Sequence, residues 1–263
     1  MLAAAKGIEP FKEPQGFTPI AKRSGASGGW SYPIILILNP VSLSSMQRKP
    51  IRGILRPKVI IFDVDGLLFN TDELMFIELQ RALAELGISI DESFFADHDY
   101  DDCVYALGLS KERLDAVLQK IRTRYYSDEI LPHVRMRHGV SETLKLLSSS
   151  FPLAIGSGEA KEQIGRYLRH FSIEDYFSFI GHGKTVPQRK NNPEYFFTIA
   201  RHFGVSPEEC LHVGDSLYDQ QALKAGVPVV IIPTKFSRHC AFDPRCQILE
   251  SIEELPSVLL PNR

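Results

Sequence analysis

Hydrophobic residues from position 59 onward fall into short, mostly apolar runs that alternate with stretches of helical period. Each run has the length of a strand buried on both faces, and the runs lie at residues 59–62, 151–156, 177–180, 210–213 and 229–232. Amphipathic segments between them predict helices at residues 140–147, 159–171, 193–203 and 218–225. Strands that alternate with helices in this way predict an α/β fold with a parallel sheet and right-handed crossovers.

A block of helical pattern interrupts this alternation at residues 72–137. One face of its first helix is marked by Leu74, Ile77, Leu83 and Leu86, with Gly87 near the end. A later helix, with Ser110 as its predicted N-cap, carries Leu114, Val117, Leu118, Ile121 and Tyr125 on one face. Because the block comes before any second strand, we predict an all-helical domain inserted into a core made of residues 58–71 and 138–263.

Residues 1–57 differ from the rest, since they are rich in Gly, Pro, Ser and Ala and lack a sustained period. This composition predicts a disordered N-terminal extension. Its apolar run at 34–38 is far shorter than the roughly 20 residues that span a bilayer. Basic residues leave a transit peptide open, although Glu9 and Glu13 count against it, and translation starting at Met46 is a simpler alternative. We therefore expect a cytoplasmic protein, with organellar targeting by the extension left open.

Composition and charge exclude several functional classes. The chain of 263 residues has a net charge of −2 and is 44% hydrophobic, as is ordinary for a water-soluble globular protein. We expect no nucleic-acid partner, because the chain has no excess of basic residues. We also expect no membrane partner. The four cysteines have no CxxC spacing and predict no disulfide framework, although Cys240 and Cys246 are close enough to pair if oxidised. The oligomeric state is left open.

The first strand ends in two carboxylates that suit a metal ion. Asp63 and Asp65, followed at once by Gly66, lie where a central parallel strand gives way to its loop, and ligands bind at such positions in α/β sheets. Two bare aspartates there repel, and one tends to keep its proton unless a cation neutralises it. A hard, oxygen-seeking ion such as Mg²⁺ fits this pair. Taken alone, the four residues Asp-Val-Asp-Gly at positions 63–66 are equally compatible with a simple turn.

Polar residues also follow two later strands. Ser157 and Gly158 come after the second run, where a hydroxyl and free backbone N–H groups at a helix start can hold an anion, or where the serine simply caps the helix. Asp215 and Asp219 come after the fourth run, and Gly214 beside them allows close backbone approach. Four aspartates at two strand ends are hard to explain as turns alone, whereas a shared metal explains them.

Two lysines are candidates for a fixed cation at this site. Lys190 lies just before the helix that Pro193 begins, and an ammonium there would neutralise phosphate charge and steady a nucleophile. Lys184, with Pro187 three residues on, has similar spacing and is a rival. Either lysine is also compatible with an ordinary solvated surface residue.

These motifs, taken in order, resemble the haloacid dehalogenase (HAD) superfamily of phosphotransferases. They are DVDG, GSG, KNNPE and GDSLYD, and the match covers roughly residues 59–255. The resemblance implies a Rossmann-like core over which the helical block closes as a cap domain. It also implies a Mg²⁺-dependent phosphatase of the β-phosphoglucomutase or phosphoglycolate phosphatase type, whose partner is a small phosphorylated metabolite.

The resemblance also implies roles for individual residues. Asp63 would attack phosphorus and form an aspartyl-phosphate, and Asp65 would protonate the leaving oxygen and then activate water. The Mg²⁺ ligands would be Asp63, the backbone carbonyl of Asp65, and Asp215, with Asp219 in support. The groups that grip the phosphoryl oxygens would be Ser157, Gly158 and Lys190.

Three departures from the family pattern narrow the prediction. Asn191 stands where proline usually follows the motif lysine, which weakens the choice of Lys190 over Lys184. Asn70 replaces a common aspartate near the cap hinge, and Met75 stands where the mutases carry a histidine. A mutase is therefore the alternative to a phosphatase, and a non-catalytic binding module is a lesser one.

The helical block would select the substrate. Its candidates for facing the site are Glu73, His98, Asp99, Tyr100 and Tyr105, although a solvated acidic surface explains them better. Phosphoglycolate, sugar phosphates and nucleoside monophosphates therefore all stay open as substrates.

Overall fold

The computed structural model of the chain describes residues 57–96, 105–185 and 190–260. Within these ranges the strands form one six-stranded sheet with the order β3-β2-β1-β4-β5-β6, and every neighbouring pair is parallel. The strands are β1 Val59–Phe62, β2 Leu153–Gly156, β3 Phe177–Gly181, β4 Cys210–Gly214, β5 Val229–Ile231 and β6 Gln247–Ile248. This confirms the predicted parallel α/β core. The predicted extension at residues 1–57 lies, apart from Pro57, outside the described residues.

Helices lie between the strands along the chain. The α-helices of the described residues are α1 Thr71–Ala84, α2 Glu92–Ala96, α3 Lys111–Tyr125, α4 Val140–Ser148, α5 Lys161–His170, α6 Pro193–Phe203 and α7 Leu255–Leu259. Short 3₁₀ segments join them at Leu131–His133, Glu174–Tyr176, Pro207–Glu209, Asp219–Ala225 and Ile252–Glu254. The segment Asp219–Ala225, predicted as part of a regular helix, is therefore a tighter 3₁₀ helix.

The central strand β1 carries the core on both of its faces. Its side chains alternate, so that Ile60 and Phe62 pack into one hydrophobic cluster and Val59 and Ile61 pack into another on the opposite side. All four are buried, which agrees with the unbroken apolar run. The two clusters hold the end of β1 rigidly, and with it the start of the Asp63 loop.

The helical block between β1 and β2 is built on α1 and α3, which pack against each other. Leu79 and Leu83 of α1 and Val117 and Ile121 of α3 are buried, and Ser110 accepts the hydrogen bond of the predicted N-cap. One sequence inference about this block is wrong. Ile77, assigned to the inner face of α1, is exposed, and Phe76 is buried instead.

The two connections between the helical block and the sheet run side by side. Asn70 donates from its backbone N–H to the carbonyl of Arg135 at 3.1 Å, and its side-chain Oδ1 accepts from the backbone N–H of Arg135 at 2.7 Å. A further backbone bond joins Arg137 to Leu68. The asparagine that departs from the family pattern thus links both connections.

Other details differ from the sequence predictions for local reasons. β2 begins at Leu153 rather than at Phe151, because Pro152 has no N–H for the ladder. β6 is two residues long, too short to show a period. Cys210 and Cys246 are free thiols, so the Cys240–Cys246 disulfide left open by the sequence is not formed. Across the described ranges, no helix is both long and apolar enough to cross a membrane.

Candidate active site

The candidate site lies where β1, β2 and β4 end at the same edge of the sheet. β1 pairs with both other strands, with Phe62 opposite Ile155 on one side and Val213 on the other. Asp63 continues this ladder, since its N–H donates to the Val213 carbonyl at 2.9 Å. Because parallel strands bring their carboxyl ends together, residues from three distant segments of the chain meet here.

A buried cluster of carboxylates and one ammonium forms the centre of the site. Asp63, Asp215 and Asp219 each offer a carboxylate oxygen, and these oxygens lie within 4.8 Å of one another. Lys190 Nζ donates to Asp63 Oδ1 and to Asp219 Oδ1, at 2.7 Å in each case. Lys184, the rival lysine, is exposed. The structure therefore brings Lys190 into the cluster and leaves Lys184 at the surface.

Both oxygens of Asp219 are occupied by donors from the protein. Oδ1 accepts from Lys190 and lies 2.8 Å from His212 Nε2, and Oδ2 accepts from the backbone N–H groups of Asp215 and Ser216. Burial opposes ionisation, yet the Lys190 ammonium and the His212 imidazole hold the pKa of Asp219 well below its usual range. Asp219 thus binds its neighbours through both oxygens and has little capacity left for a metal ion.

Asp63 and Asp215 are the carboxylates with capacity for a cation. Among the described residues, Asp215 Oδ1 is buried without a hydrogen-bond partner. Burial and the neighbouring carboxylates raise the pKa of Asp215 well above its usual range, and burial likewise raises the pKa of Asp63 to about 7. Lys190 alone cannot balance three acids, so a hard divalent cation with oxygen ligands fits the residues present. Mg²⁺ is such an ion.

Two glycines make room for these carboxylates. A Cβ at Gly66 would collide with the carboxylate of Asp215, and a Cβ at Gly214 would collide with that of Asp219. Gly66 also has φ +77°, a conformation that side chains other than glycine rarely adopt. The glycine of the DVDG motif is therefore required both by the turn and by the approach of Asp215.

Gly66→Ala is expected to weaken Mg²⁺ binding at least about tenfold, because it displaces Asp215. Gly87→Ala is a matched control, since Gly87 has φ +70° but a Cβ there would contact nothing within 4 Å. In both variants, backbone strain should lower the free energy of unfolding by about 1–2 kcal/mol. The measurement is the rise in melting temperature on adding MgCl₂. An equal rise in both variants would contradict the assignment of Asp215 to the metal.

Asp65 is held by two hydroxyl groups. Thr71 Oγ1 donates to Asp65 Oδ1 at 2.6 Å, and the Tyr125 hydroxyl donates to the same oxygen at 3.4 Å. Burial, followed by the negative charge of Glu159, raises the pKa of Asp65 to about 7. The side chain is therefore poised to give or take a proton near neutral pH.

Ser157 ends β2 in a buried loop. Its hydroxyl accepts from the backbone N–H of Glu159 at 3.0 Å, and its carbonyl accepts from the Tyr195 hydroxyl at 2.8 Å. Helix α5 begins at Lys161, so Ser157 is not its N-cap, which corrects the predicted helix start at residue 159. Gly158 is exposed beside it, with space around its Cα. Both residues follow β2, which pairs with β1, and so lie at the predicted edge of the sheet.

Some contributors to the site were missed by sequence reasoning. His212 is a polar residue inside an apolar strand, and a buried polar side chain requires partners, which it finds in Asp219 and the Ile61 carbonyl. A histidine inside the apolar run 210–213 was therefore a sequence signal from which its role in the site could have been inferred. Thr71 gave no such signal, because it begins a helix. Tyr125 gave none either, because packing already explains its position on a helix face.

Of the five residues proposed to face the site from the helical block, Glu73 and Tyr105 lie within the described ranges. Glu73 is paired with Arg137 at 2.8 Å, and Tyr105 is 63% exposed. The predictions for His98, Asp99 and Tyr100 lie outside the described residues. Arg137 also donates to the Gly66 carbonyl and to Asp72, so Glu73 is part of a cluster at the hinge.

Comparisons with known proteins identify the family to which this chain is similar. Residues 60–232 match the family described as haloacid dehalogenase-like hydrolase. Phosphoglycolate phosphatase from Thiobacillus denitrificans is 29% identical over 203 residues, covering 69% of this chain and 85% of that protein.

Solved structures share the fold. CbbY from Rhodobacter sphaeroides, in complex with phosphate, superposes with a TM-score of 0.62 at 21% identity, covering 77% of this chain and 99% of that one. A haloacid dehalogenase-like family hydrolase from Streptococcus pneumoniae gives a TM-score of 0.66 at 20% identity, covering 76% and 97%. Both structures therefore share the fold over about three quarters of this chain.

Proposed function

This chain belongs to the haloacid dehalogenase-like hydrolases and is a phosphatase, and we propose that it hydrolyses a small phosphomonoester through an aspartyl-phosphate with the help of Mg²⁺. The observation that carries the proposal is the buried cluster in which Lys190 joins Asp63 to Asp219 beside the unsatisfied Asp215. Asp215 Oδ1 has no hydrogen-bond donor within the described ranges and lies beside two other carboxylates, so it is available to the cation that a phosphoryl-transfer site needs.

Asp63 is the nucleophile in this proposal. One carboxylate oxygen attacks phosphorus, the bond between phosphorus and the ester oxygen breaks, and the phosphoryl group is left on Asp63. Lys190 already binds Oδ1 at 2.7 Å, which fixes the carboxylate, and its positive charge opposes the effect of burial and favours the ionised form. The same ammonium lies where it would also neutralise the phosphoryl oxygens.

Asp65 is the acid and then the base. Its proton passes to the departing alkoxide, so that an alcohol leaves. The carboxylate that remains takes a proton from water as the water oxygen attacks the phosphorus of the aspartyl-phosphate, which releases inorganic phosphate and restores both groups. Ser157 and Gly158 would supply a hydroxyl and a backbone N–H to the phosphoryl oxygens.

Mg²⁺ would be held by Asp63, the backbone carbonyl of Asp65, and Asp215, and when bound it supplies positive charge that offsets the charge of the phosphoryl group. Asp219 contributes indirectly, because it sets the positions of Lys190 and of the backbone at Asp215 and Ser216. Positioning and charge neutralisation together account for catalysis at such sites.

The relatives favour one class of substrate, and one side chain favours one type of reaction. Phosphoglycolate phosphatases are among the proteins this chain resembles, which favours a small acidic phosphomonoester. Met75 is partly buried on α1, and a thioether cannot carry the proton that a mutase histidine would move between sugar hydroxyls. Hydrolysis is therefore favoured over phosphoryl transfer within a sugar.

The deciding measurement is phosphate release from a panel containing 2-phosphoglycolate, sugar phosphates, nucleoside monophosphates and p-nitrophenyl phosphate. We expect release in MgCl₂, and a loss of at least about 100-fold in EDTA that added Mg²⁺ restores. Conversion of a sugar 1-phosphate into its 6-phosphate with little free phosphate would instead identify a mutase. Turnover unaffected by EDTA would exclude the metal-assisted mechanism.

A further inference from the structure

A chain of buried polar side chains leads from the surface of helix α5 to Asp65. Arg166 donates from Nη1 to Gln163 Oε1 at 2.8 Å, and Gln163 Nε2 donates to the Tyr167 hydroxyl at 2.6 Å. The Tyr167 hydroxyl interacts electrostatically with the Tyr125 hydroxyl, and the Tyr125 hydroxyl donates to Asp65 Oδ1 at 3.4 Å. Gln163, Tyr167 and Tyr125 are each at most 3% exposed.

Hydrogen-bond chemistry gives this chain a direction. Arginine has only donors, so the Gln163 oxygen must face Arg166 and the Gln163 amide must face Tyr167. Tyr167 accepts from that amide, and Tyr125 donates to Asp65, which leaves the Tyr167 proton available to the Tyr125 oxygen. In this arrangement every hydroxyl donates once and accepts once, and each bond polarises the next.

Both donors to Asp65 converge on a single oxygen. Thr71 and Tyr125 bind Oδ1, and within the described part of the chain Oδ2 has no hydrogen-bond donor. An oxygen that already accepts two hydrogen bonds is a poor place for a proton. When Asp65 is neutral, its proton therefore resides on Oδ2, the oxygen that remains available to a substrate.

The chain also joins two parts of the molecule. Tyr125 ends helix α3 of the helical block, whereas Asp65 lies on the loop after β1 and Tyr167 lies on α5 of the core. Arg166 binds the Tyr126 and Ser127 carbonyls just beyond α3 as well as Gln163. The orientation of the Asp65 carboxyl is thereby coupled to the docking of α3 against α5.

We propose that Tyr125, backed by Tyr167, is a positioning residue that orients the Asp65 carboxyl so that Oδ2 presents its proton to the leaving group. The inference rests on the proposed function, because it takes Asp65 as the general acid. It extends that function by assigning a residue of the helical block to the chemical step itself.

The dependence on the leaving group separates this role from a merely structural one. An alkoxide is a poor leaving group and needs the proton of Asp65, whereas p-nitrophenolate departs without it. The parameter kcat/KM reports the steps up to departure of the alcohol, before hydrolysis of the aspartyl-phosphate. Loss of Asp65 orientation should therefore reduce kcat/KM for an alkyl phosphate and spare that for p-nitrophenyl phosphate.

For Tyr125→Phe we expect kcat/KM to fall about tenfold with the best alkyl phosphomonoester of the panel and less than about threefold with p-nitrophenyl phosphate. Tyr167→Phe, which removes the donor behind Tyr125, should show the same selectivity with a smaller loss. Asp65→Asn sets the maximum difference between the two substrates. Tyr176→Phe, which follows α5 at the opposite end of the sheet, should change neither substrate.

Two results would overturn the proposal. One is an equal loss on both substrates in the two tyrosine variants, since that indicates general loosening of the site. The other is full activity of both variants on the alkyl phosphate. If wild type releases phosphate from no compound, the proposed phosphatase function fails and the positioning role falls with it. If only Asp65→Asn shows the selectivity, the proposed function stands and the role of Tyr125 is wrong.

Discussion

Asp63→Asn is expected to reduce phosphate release by at least about 10⁴-fold. The amide has nearly the volume of the carboxylate but is not a nucleophile, so no phosphoryl group can be transferred to residue 63. The asparagine amide also offers only one acceptor oxygen, which Lys190 and the cation would have to share. The measurement is turnover of the best substrate, combined with a search for covalently bound phosphate after rapid quenching.

Fold integrity must be established alongside this variant, because Asp63 is buried against Lys190. A melting temperature within a few degrees of wild type serves for that purpose. Asp115→Asn on the exposed face of α3 is a matched control for the substitution itself and should retain full activity. Turnover within about tenfold of wild type in Asp63→Asn would rule out the aspartyl-phosphate mechanism.

Lys190→Met is expected to lower kcat by about 10² to 10³-fold. Methionine matches the length of the lysine stem but removes the ammonium that joins Asp63 to Asp219 at 2.7 Å on each side. Breaking a buried ion pair leaves an uncompensated charge, so the metal-free protein should also lose about 3–5 kcal/mol of stability. Mg²⁺ should recover part of this loss, because the cation supplies some of the missing positive charge.

Lys184→Met is the matched control, since the two lysines were equally acceptable from sequence spacing and Lys184 is exposed. It should change kcat by less than about twofold and leave the melting temperature unchanged. Turnover assays and thermal unfolding with and without MgCl₂ test both variants together. A larger effect from Lys184 than from Lys190 would reverse the assignment of the phosphate-binding cation.

The parts of the fold that sequence predicted well are those in which one local pattern decides the outcome. The apolar run Val59–Phe62 can be satisfied only by burial on both faces, and it forms the strand between β2 and β4. Polar residues at the ends of β1, β2 and β4 meet because a parallel sheet has one carboxyl edge. The predicted parallel topology was therefore sufficient to predict which edge of the sheet carries the candidate site.

The details that sequence could not supply depend on contacts between distant segments. The path of the loop before α6 determines which of the two lysines, Lys190 or Lys184, enters the site. Local sequence spacing does not determine that path. Tyr125 was read as a core residue from its helical period, which is correct for its ring but does not show where its hydroxyl points. The 3₁₀ helix at Asp219–Ala225 likewise follows from the bonds that Asp219 makes back to Asp215 and Ser216.

The adjacent connections at Asn70 and Arg135 have a consequence for how such proteins diversify. The inserted helices leave the sheet and return to it at one place, where the two chain segments are already hydrogen-bonded to each other. An insert of different length or sequence can therefore be exchanged there without changing the distance between the ends that it must join. Substrate preference can then evolve by replacement of a module, while the inherited chemistry of the strand ends stays intact.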